Sequence, residues 1–351
     1  MEKETRTFNS IRNITFAAIS LIINLIIGLV LRTLFIRFLG NEYLGINSLF
    51  TSVLNIISMA EMGFTTVAVV SLYQPISEDN LSKLAQYVNY YKKTYIAIAV
   101  VTFGLGILLI PFLPYFVKTT QNIDGLYVYY ILFVLNSAVS YLCNYKLLVI
   151  QASQKEYLIS KQKIYVDIVT TFLQIIEMAV FHNYVMYLLL MIGGNFAGNF
   201  LGSRKLKDVY PTLNLKEKQG LEKIEKQNVW KNIYSNFTYK LGSLLLSNSG
   251  DIFISAFAGT GVLGIYSNYV LFLNLVKSVM KSIYEQIYNS IGNLNYGEDA
   301  EHRERVFEVC IMVYAFLLTI ALVGIYTCAD PVIEVWLGNK YLMDRSILAV
   351  A

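Results

Sequence analysis

The stretch Arg32–Asn55, RTLFIRFLGNEYLGINSLFTSVLN, occurs a second time in the chain as Asp251–Asn274, DIFISAFAGTGVLGIYSNYVLFLN. The two stretches align without a gap, and the shared G-x-x-x-L-G-I-x-S pattern includes polar and turn residues that an apolar composition alone does not supply. The pattern therefore predicts an internal duplication. Identical residues lie 219 positions apart throughout, at Phe38 and Phe257, Gly40 and Gly259, Leu44 and Leu263, Gly45 and Gly264, Ile46 and Ile265, and Ser48 and Ser267.

The amino-acid composition indicates whether the duplicated segments lie in water or in a membrane. Of the 351 residues, 56% are hydrophobic and 15% are charged, whereas soluble domains carry about 25% charged residues. A membrane-crossing helix needs roughly 20 apolar residues, and we predict nine such spans and the start of a tenth near Ile347. The nine spans are Ile14–Phe38, Leu44–Leu72, Thr94–Leu113, Leu126–Ile150, Ile164–Phe181, Tyr184–Gly202, Ile233–Ala258, Val262–Ile287 and Val306–Cys328.

Lysine and arginine are unevenly distributed between the two sides of these predicted spans. Nineteen lie on the side that holds the N-terminus and the stretch Ser203–Lys231, while the other side has three, at Arg37, Lys118 and Lys340. Short loops that are rich in Lys and Arg stay in the cytoplasm. We therefore expect a cytoplasmic N-terminus.

The polar stretch after the sixth span separates the two copies of the repeat. We predict an N-terminal six-helix lobe at 1–203, a basic cytoplasmic linker at 204–231 and a C-terminal lobe at 232–351. Since six is even, both copies would have the same topology and be related by an axis along the membrane normal. The predicted fold is an all-α, two-lobed membrane bundle of parallel repeats. The second copy has three spans and part of a fourth, so we expect it to continue beyond Ala351.

Charged residues inside the spans are candidates for function, because each costs about 2.5 to 3.5 kcal/mol at mid-helix. Arg32 and its duplicate position Asp251 carry opposite charges at matching depth, and we predict that they pair. Glu61 lies within one turn of the depth of Lys277, and Lys240 lies midway along the seventh span. The alternative for each is that a long side chain extends to the membrane surface. We favour that alternative for the charges near span ends, at Arg37, Lys146 and Asp167.

Local signals predict where helices begin, end and pack. Pro75 predicts the end of the second span, and Ser77 predicts the start of a cytoplasmic helix. Gly194, Gly198 and Gly202 recur at every fourth residue of the sixth span. Small residues on one helical stripe favour close packing of two helices over a hinge.

The sequence predicts neither a cofactor nor a metal site. Its three cysteines lie apart in apolar stretches, and its two histidines are His182 and His302. This set has no metal-ligand spacing, and the chain has no Gly-rich phosphate loop and no Ser/His/Asp grouping. We expect no catalytic residue and no nucleic-acid partner.

Four further stretches occur in an order and spacing typical of one family. They are FLGNEYLGINSLFTSVLNIISMAEMGFTTVAVVSLYQPISEDN (38–80), QASQKEYLISKQKIYVDIVTTFLQII (151–176), SGDIFISAFAGTGVLGIYSNYVLF (249–272) and VIEVWLGNKYL (332–342). Together they resemble bacterial polysaccharide biosynthesis transporters, the Wzx-type oligosaccharide flippases of the multidrug/oligosaccharidyl-lipid/polysaccharide exporter superfamily.

The resemblance implies a two-lobed bundle in the bacterial cytoplasmic membrane whose central cleft opens alternately to either side. It implies transport of undecaprenyl-diphosphate-linked oligosaccharides to the external leaflet, for O-antigen, capsule or exopolysaccharide. Arg32, Lys240 and Lys277 are then candidate partners of the diphosphate, and Asp251 and Glu61 are candidate gating or ion-coupling carboxylates. Expected partners are the lipid-linked substrate, membrane lipid, and the polysaccharide polymerase and chain-length components.

Two other classes of protein remain as alternatives. A cation-coupled multidrug exporter of the same superfamily would share the fold, but it would favour carboxylates over the mixed cationic set of this chain. A polysaccharide polymerase or a lipid-linked glycosyltransferase would need a sizeable external loop or a catalytic cytoplasmic domain. The polar stretch Ser203–Lys231 is too short and too basic for that role, so the sequence predicts a transporter and not an enzyme.

Overall fold

The computed structural model describes residues 6–119, 123–215, 220–294 and 300–343, and all regular structure in these residues is helical. This confirms the predicted all-α class. The chain forms two compact units, Met1–Thr260 and Gly261–Ala351. The predicted division into lobes at 203 and 232 stays a prediction.

The first unit contains helices α1 to α11. Helix α1 packs on α8, α8 packs on α9, and α9 packs on α6, while α11 packs along α2 and α3. The bounds are α1 Arg6–Phe38, α2 Asn41–Ile57, α3 Met59–Ser77, α4 Leu81–Leu108, α5 Leu113–Phe116, α6 Leu126–Ser140, α7 Asn144–Ala152, α8 Tyr157–Val180, α9 Tyr184–Arg204, α10 Leu206–Val209 and α11 Lys223–Ala258. A 3-10 turn at Ile110–Phe112 connects α4 to α5.

The helix boundaries differ from the local predictions at two places. The second predicted span is interrupted at Ser58, which separates α2 from α3. Helix α3 then continues through Pro75 to Ser77, and the next helix begins at Leu81 rather than at Ser77. A proline so near a helix end disturbs few backbone hydrogen bonds. Asn80, whose side chain accepts from the Lys83 N–H at 2.9 Å, is the N-cap that determines where α4 begins.

The helices of both units carry large apolar side chains that are exposed. Among the described residues, four helical segments are long and apolar enough to cross a membrane, namely Ile19–Phe38, Leu81–Phe116, Tyr184–Val209 and Phe307–Leu337. Helices α6 and α7, bent by 44°, would form a fifth span if they act as one. Outward-facing side chains such as Ile22, Val100 and Leu108 are about half to two-thirds exposed. Large exposed apolar side chains of this kind are typical of a surface that contacts lipid. The total of nine spans stays a prediction.

The glycine stripe of the sixth span lies where α9 meets α7 and α8. A Cβ atom placed on Gly194 would lie 2.4 Å from Thr170 Oγ1, and one placed on Gly202 would lie 3.3 Å from Leu147 Cδ2. A side chain at Gly194 would force the helices apart. The stripe therefore permits close packing, as the four-residue spacing predicts.

The second unit contains α12, Thr260–Leu294, and α13, Ala300–Leu337, followed by a 3-10 turn at Asn339–Tyr341. Buried Tyr269 of α12 connects these parts, since its hydroxyl donates to Asp330 Oδ1 of α13 at 2.9 Å. The Tyr269 hydroxyl oxygen also accepts a hydrogen bond from the Met343 N–H at 3.1 Å. One phenol thus joins both helices to the segment after the turn.

The duplication is reproduced in the backbone. Gly40 has φ 90° and ψ 173°, and Gly259 has φ 97° and ψ 162°. The Gly40 N–H bonds to the carbonyls of Phe35 and Ile36, and the Gly259 N–H bonds to those of Ile254 and Ser255, at the same spacing of 219 residues. Both glycines end one long helix and begin the next.

A third copy of this turn ends α13. Gly338 has φ 95° and ψ 164°, and its N–H bonds to the carbonyls of Ile333 and Glu334. The surrounding residues 336–342, WLGNKYL, match 38–44, FLGNEYL, at five of seven positions. This backbone conformation is essentially restricted to glycine. The G-turn, as we call this feature at Gly40, Gly259 and Gly338, is therefore a repeated way of ending a helix.

We expect Gly40→Ala and Gly259→Ala each to lower the free energy of unfolding by about 1 to 3 kcal/mol, because a Cβ atom is strained at this φ and ψ. The measurement is thermal unfolding of the purified protein in detergent. Gly28→Ala is the control, since Gly28 lies within α1 with open space around its Cα. Equal stability of the Gly40→Ala and Gly28→Ala variants would contradict the strain.

Candidate functional site

A line of hydrogen-bonded polar side chains joins α2 to α11. We call it the polar seam and define it by three contacts. Ser52 Oγ donates to Asp251 Oδ2 at 2.6 Å, and Asn55 Nδ2 donates to Asn248 Oδ1 at 3.2 Å. At the far end, Thr260 Oγ1 donates to Glu42 Oε2. The residues of the seam are Glu42, Ser52, Asn55, Asn248, Asp251 and Thr260.

The three contacts fix how the two helices run. Going along α2 from Glu42 to Asn55, the partners on the α11 side go backwards from Thr260 to Asn248, so the helices are antiparallel. Thirteen residues of helix correspond to about 20 Å. The seam therefore covers most of α2.

Four of the six seam residues are buried, while Asp251 is half-buried and Asn55 is exposed. Both carboxylates of the seam, on Asp251 and Glu42, accept a hydrogen bond from a hydroxyl. Thr260 is fully buried, and Ser52 is 5% exposed. A buried carboxylate is tolerated where hydroxyl or amide groups donate to it. The 2.6 Å distance from Ser52 to Asp251 is typical of a hydroxyl that donates to a carboxylate. Loss of one partner would leave the other buried without its bond.

A second set of bonds ties the same end of α11 to the backbone that follows α5. The Thr260 N–H donates to Lys118 O at 2.8 Å, and Ser255 Oγ donates to Phe116 O at 2.6 Å. Gly259 lies against this segment, since a Cβ atom there would be 3.2 Å from Lys118 O. The G-turn at Gly259 thus permits the approach that these bonds require.

The opposite end of α11, near Glu225, borders a cavity. Lys83 Nζ and Glu225 Oε1 form an ion pair at 2.5 Å between α4 and α11. Next to this pair, a cavity of about 430 Å³ lies between α3, α4 and α11. Its polar lining includes Thr66, Gln74, Asn228 and Asn232. In the Lys/Arg prediction this is the cytoplasmic side, and the polar seam lies toward the outside.

The predicted ion pair between Arg32 and Asp251 does not form among the described residues. Arg32 is half-buried on α1, and Asp251 instead receives its hydrogen bond from Ser52. The reason is the packing order, because α1 lies chiefly against α8 while α11 lies against α2 and α3. Equivalent positions in the two copies do not determine which helices touch.

The other predicted site residues are distributed as follows. Lys277 lies on α12 of the second unit and is exposed. Glu61 lies in α3 and Lys240 lies in α11, but their side chains are outside the part that the structure describes. A common site for the five predicted residues therefore stays a prediction.

A polar cavity of about 320 Å³ lies among α1, α6, α8 and α9. Asp167, half-buried, lines it together with Lys163, one turn earlier on α8. Three asparagines, Asn136, Asn195 and Asn199, complete a hydrogen-bonded wall, since Asn195 donates to Asn136 at 3.2 Å and Asn199 donates to the Asn195 side chain at 3.5 Å. Polar groups at such depth are functional candidates.

This cavity was not predicted from the sequence, and the expectation that Asp167 extends to the membrane surface stays a prediction. The missed signal is the spacing of Asn195 and Asn199, one turn apart in the span that also carries the glycine stripe. Gly194 and Gly198 lie beside them and line the same cavity. A stripe of small residues next to amides on a predicted span indicates a polar space at a close helix contact.

Comparison with known proteins places this fold in a family. A profile of the family described as polysaccharide biosynthesis protein matches residues 10–287. A search of curated proteins gives no match. A solved structure described as the inward-facing conformation of a multidrug resistance MATE family transporter of the MOP superfamily matches with a TM-score of 0.61 and 12% identity, covering 92% of this chain and 73% of that chain.

The family profile covers more than three-quarters of the chain, and the structural match extends over nearly all of it. At 12% identity the structural match establishes the fold alone, which is similar to that of the MATE family transporter. The chain belongs to the polysaccharide biosynthesis protein family.

Proposed function

We propose that the protein moves lipid-linked oligosaccharides, joined to undecaprenyl diphosphate, from the cytoplasmic to the external leaflet of the bacterial cytoplasmic membrane. The observation that carries the proposal is family membership over residues 10–287 in a chain with several membrane-capable helices. A diphosphate and a hydrated glycan cannot enter hydrocarbon without large desolvation costs. A protein with polar surfaces at membrane depth would lower that barrier.

In this proposal the diphosphate is held by cations at membrane depth. Arg32 is the first candidate, because it is half-buried within the apolar segment Ile19–Phe38. Its guanidinium presents a planar fork of donors that suits phosphate oxygens. Lys240 and Lys277 are the second and third candidates. The N-terminus is cytoplasmic in the proposal, as the Lys and Arg distribution predicts.

Gating in this proposal uses the polar seam. Asp251 accepts a hydrogen bond from Ser52 of α2 in a largely buried contact, whereas the other end of α11 borders a polar cavity. Opening the outer side would break the seam and expose its hydroxyl, amide and carboxylate groups to water, where they are again satisfied. Such a contact can be made and broken at small net free energy. Glu61 remains a second candidate for gating or ion coupling.

Cation-coupled multidrug export is the second candidate function. It is favoured by Asp167, because a carboxylate in a polar cavity within the helices can take up a proton or a metal cation. The two functions differ in phenotype. A deletion strain would lose surface polysaccharide in the first case and become sensitive to cationic drugs in the second.

We expect Arg32→Gln to lower surface polymer at normal protein level by roughly tenfold or more, since hydrogen bonds to charged groups contribute about 1.5 to 3 kcal/mol. The measurement is complementation of a deletion strain, with polymer quantified on the cell surface. Arg32→Lys keeps the charge but loses the planar fork, so we expect an intermediate level.

The matched control is Arg37→Gln, which removes an exposed cation from the last turn of the same helix. We expect it to complement as well as the unchanged protein. Full complementation by Arg32→Gln would remove Arg32 from the transport path.

The polar seam generates a separate prediction. Ser52→Ala should destabilise the protein, because the buried Asp251 carboxylate loses its donor. Adding Asp251→Ala should cost less than the sum of the two single changes, with a coupling of about 0.6 to 1.7 kcal/mol. The measurement is unfolding of the four proteins in detergent.

Thr51→Ala is the control for this cycle. Thr51 is exposed, lies next to Ser52, and bonds within its own helix to Asn47 O. We expect no coupling between Thr51→Ala and Asp251→Ala. Strictly additive effects of Ser52→Ala and Asp251→Ala would mean that the seam contact does not stabilise the protein.

A further inference from the structure

A cavity of about 770 Å³ lies outside the features described so far, at the end of α9 where the chain leaves its apolar segment. Helix α7, the last turn of α9, helix α10 and residues 210–215 form its walls. Volumes of this size are typical of small-molecule sites. The cavity is large enough for a polar headgroup and the first part of an acyl chain.

Three cations line this cavity. They are Lys146 of α7, Arg204 at the end of α9 and Lys207 of α10. Within the described residues none of them forms an ion pair with a carboxylate, whereas neighbouring Lys205, which does not line the cavity, pairs with Asp208 at 2.8 Å. The cavity therefore holds a concentrated positive charge that nothing in the described protein neutralises.

Most of the remaining side chains that line the cavity are apolar. Phe200, Leu206, Leu213 and Leu215 line the same space. The Arg204 guanidinium carbon lies 5.9 Å from the centre of the Phe200 ring, one turn earlier on α9. The lining thus combines cationic groups with hydrocarbon walls, which is the complement of an anionic amphiphile.

Tyr210 extends the polar part of the lining and is itself held in place. Its hydroxyl lies 3.0 Å from Ser153 Oγ, beyond the end of α7. Since α9 ends at Arg204, the cavity lies where an apolar helix passes into a basic segment. Basic pockets at this level on the cytoplasmic side bind anionic lipid headgroups.

We propose that this cavity binds the phosphate of an anionic phospholipid headgroup of the inner leaflet, with Lys146, Arg204 and Lys207 as its partners. The phosphate accepts from the three cations, and the acyl chains lie along the apolar wall at Phe200. The chemistry shared with a soluble phosphate is the anionic oxygen cluster, and the apolar wall favours the lipid. This role is independent of the substrate that the protein transports.

The test is thermal unfolding of the full chain in detergent with increasing phosphatidylglycerol. A ligand that binds only the folded state raises the unfolding midpoint in a saturable way. We expect phosphatidylglycerol to do so and zwitterionic phosphatidylcholine not to. Each of Lys146→Gln, Arg204→Gln and Lys207→Gln should weaken the apparent affinity roughly fivefold, and the triple variant about a hundredfold.

Lys205→Gln is the matched control, because it removes one cation next to Arg204 in the chain but outside the cavity lining. We expect its affinity for phosphatidylglycerol to equal that of the unchanged protein. The proposal is overturned if Lys205→Gln weakens binding as much as Arg204→Gln, or if the triple variant binds normally. The single variants decide the matter should the triple variant not fold.

Inorganic phosphate distinguishes the two sources of the anion. We expect no saturable shift from phosphate at concentrations up to physiological levels, because it cannot use the apolar wall. A saturable shift by phosphate alone that is lost in Arg204→Gln would overturn the headgroup proposal and assign the cavity to a soluble phosphate compound. An equal shift by phosphatidylcholine would overturn the role of charge.

Discussion

The structure depends on a backbone conformation that essentially only glycine adopts. At Gly40 and Gly259 the chain turns from one long helix into the next with φ near +90° and ψ above 160°. The turn places α2 directly after α1 and α12 directly after α11. Because Gly259 has no side chain, α11 can also approach the backbone at Lys118. The bonds from Thr260 N–H to Lys118 O and from Ser255 Oγ to Phe116 O follow from that approach.

The first unit contains one hydrogen-bonded contact between helices, the polar seam, and two polar cavities. Along α2 and α11, hydroxyl, amide and carboxylate groups form hydrogen bonds with one another in a largely buried contact. Near Glu225 and around Asp167, polar side chains instead border open volume. An alternating-access transporter needs both, because a dry contact closes one side while polar spaces receive a substrate or ion. We propose that the seam and the cavity beside Glu225 are these two parts.

The sequence predicted much of the fold but less of the site. Apolar runs predicted the helices, and the repeated glycine predicted equivalent turns, which the backbone at Gly40 and Gly259 confirms. The sequence identified equivalent positions in the two copies, but it did not show which helices are neighbours. The predicted pairing of Arg32 with Asp251 was therefore wrong. The break at Ser58 and the cavity at Asp167 depend on packing between distant helices, which periodicity in one segment does not encode. The sequence at 336–342 resembles that around Gly40, but the third G-turn at Gly338 was not predicted from it. The backbone angles of Gly338 show the turn.

The central claim is that this chain moves a lipid-linked diphosphate across a membrane, and translocation in reconstituted vesicles tests it most directly. The purified protein would be inserted into liposomes with a fluorescent lipid-linked oligosaccharide in both leaflets, and a membrane-impermeant quencher would report which molecules reach the outside. We expect the quenched fraction to rise from about half toward completeness in vesicles with the protein, and to stay near half in those without it. An unchanged fraction in protein-containing vesicles that nevertheless export a cationic dye would contradict the account and favour drug export.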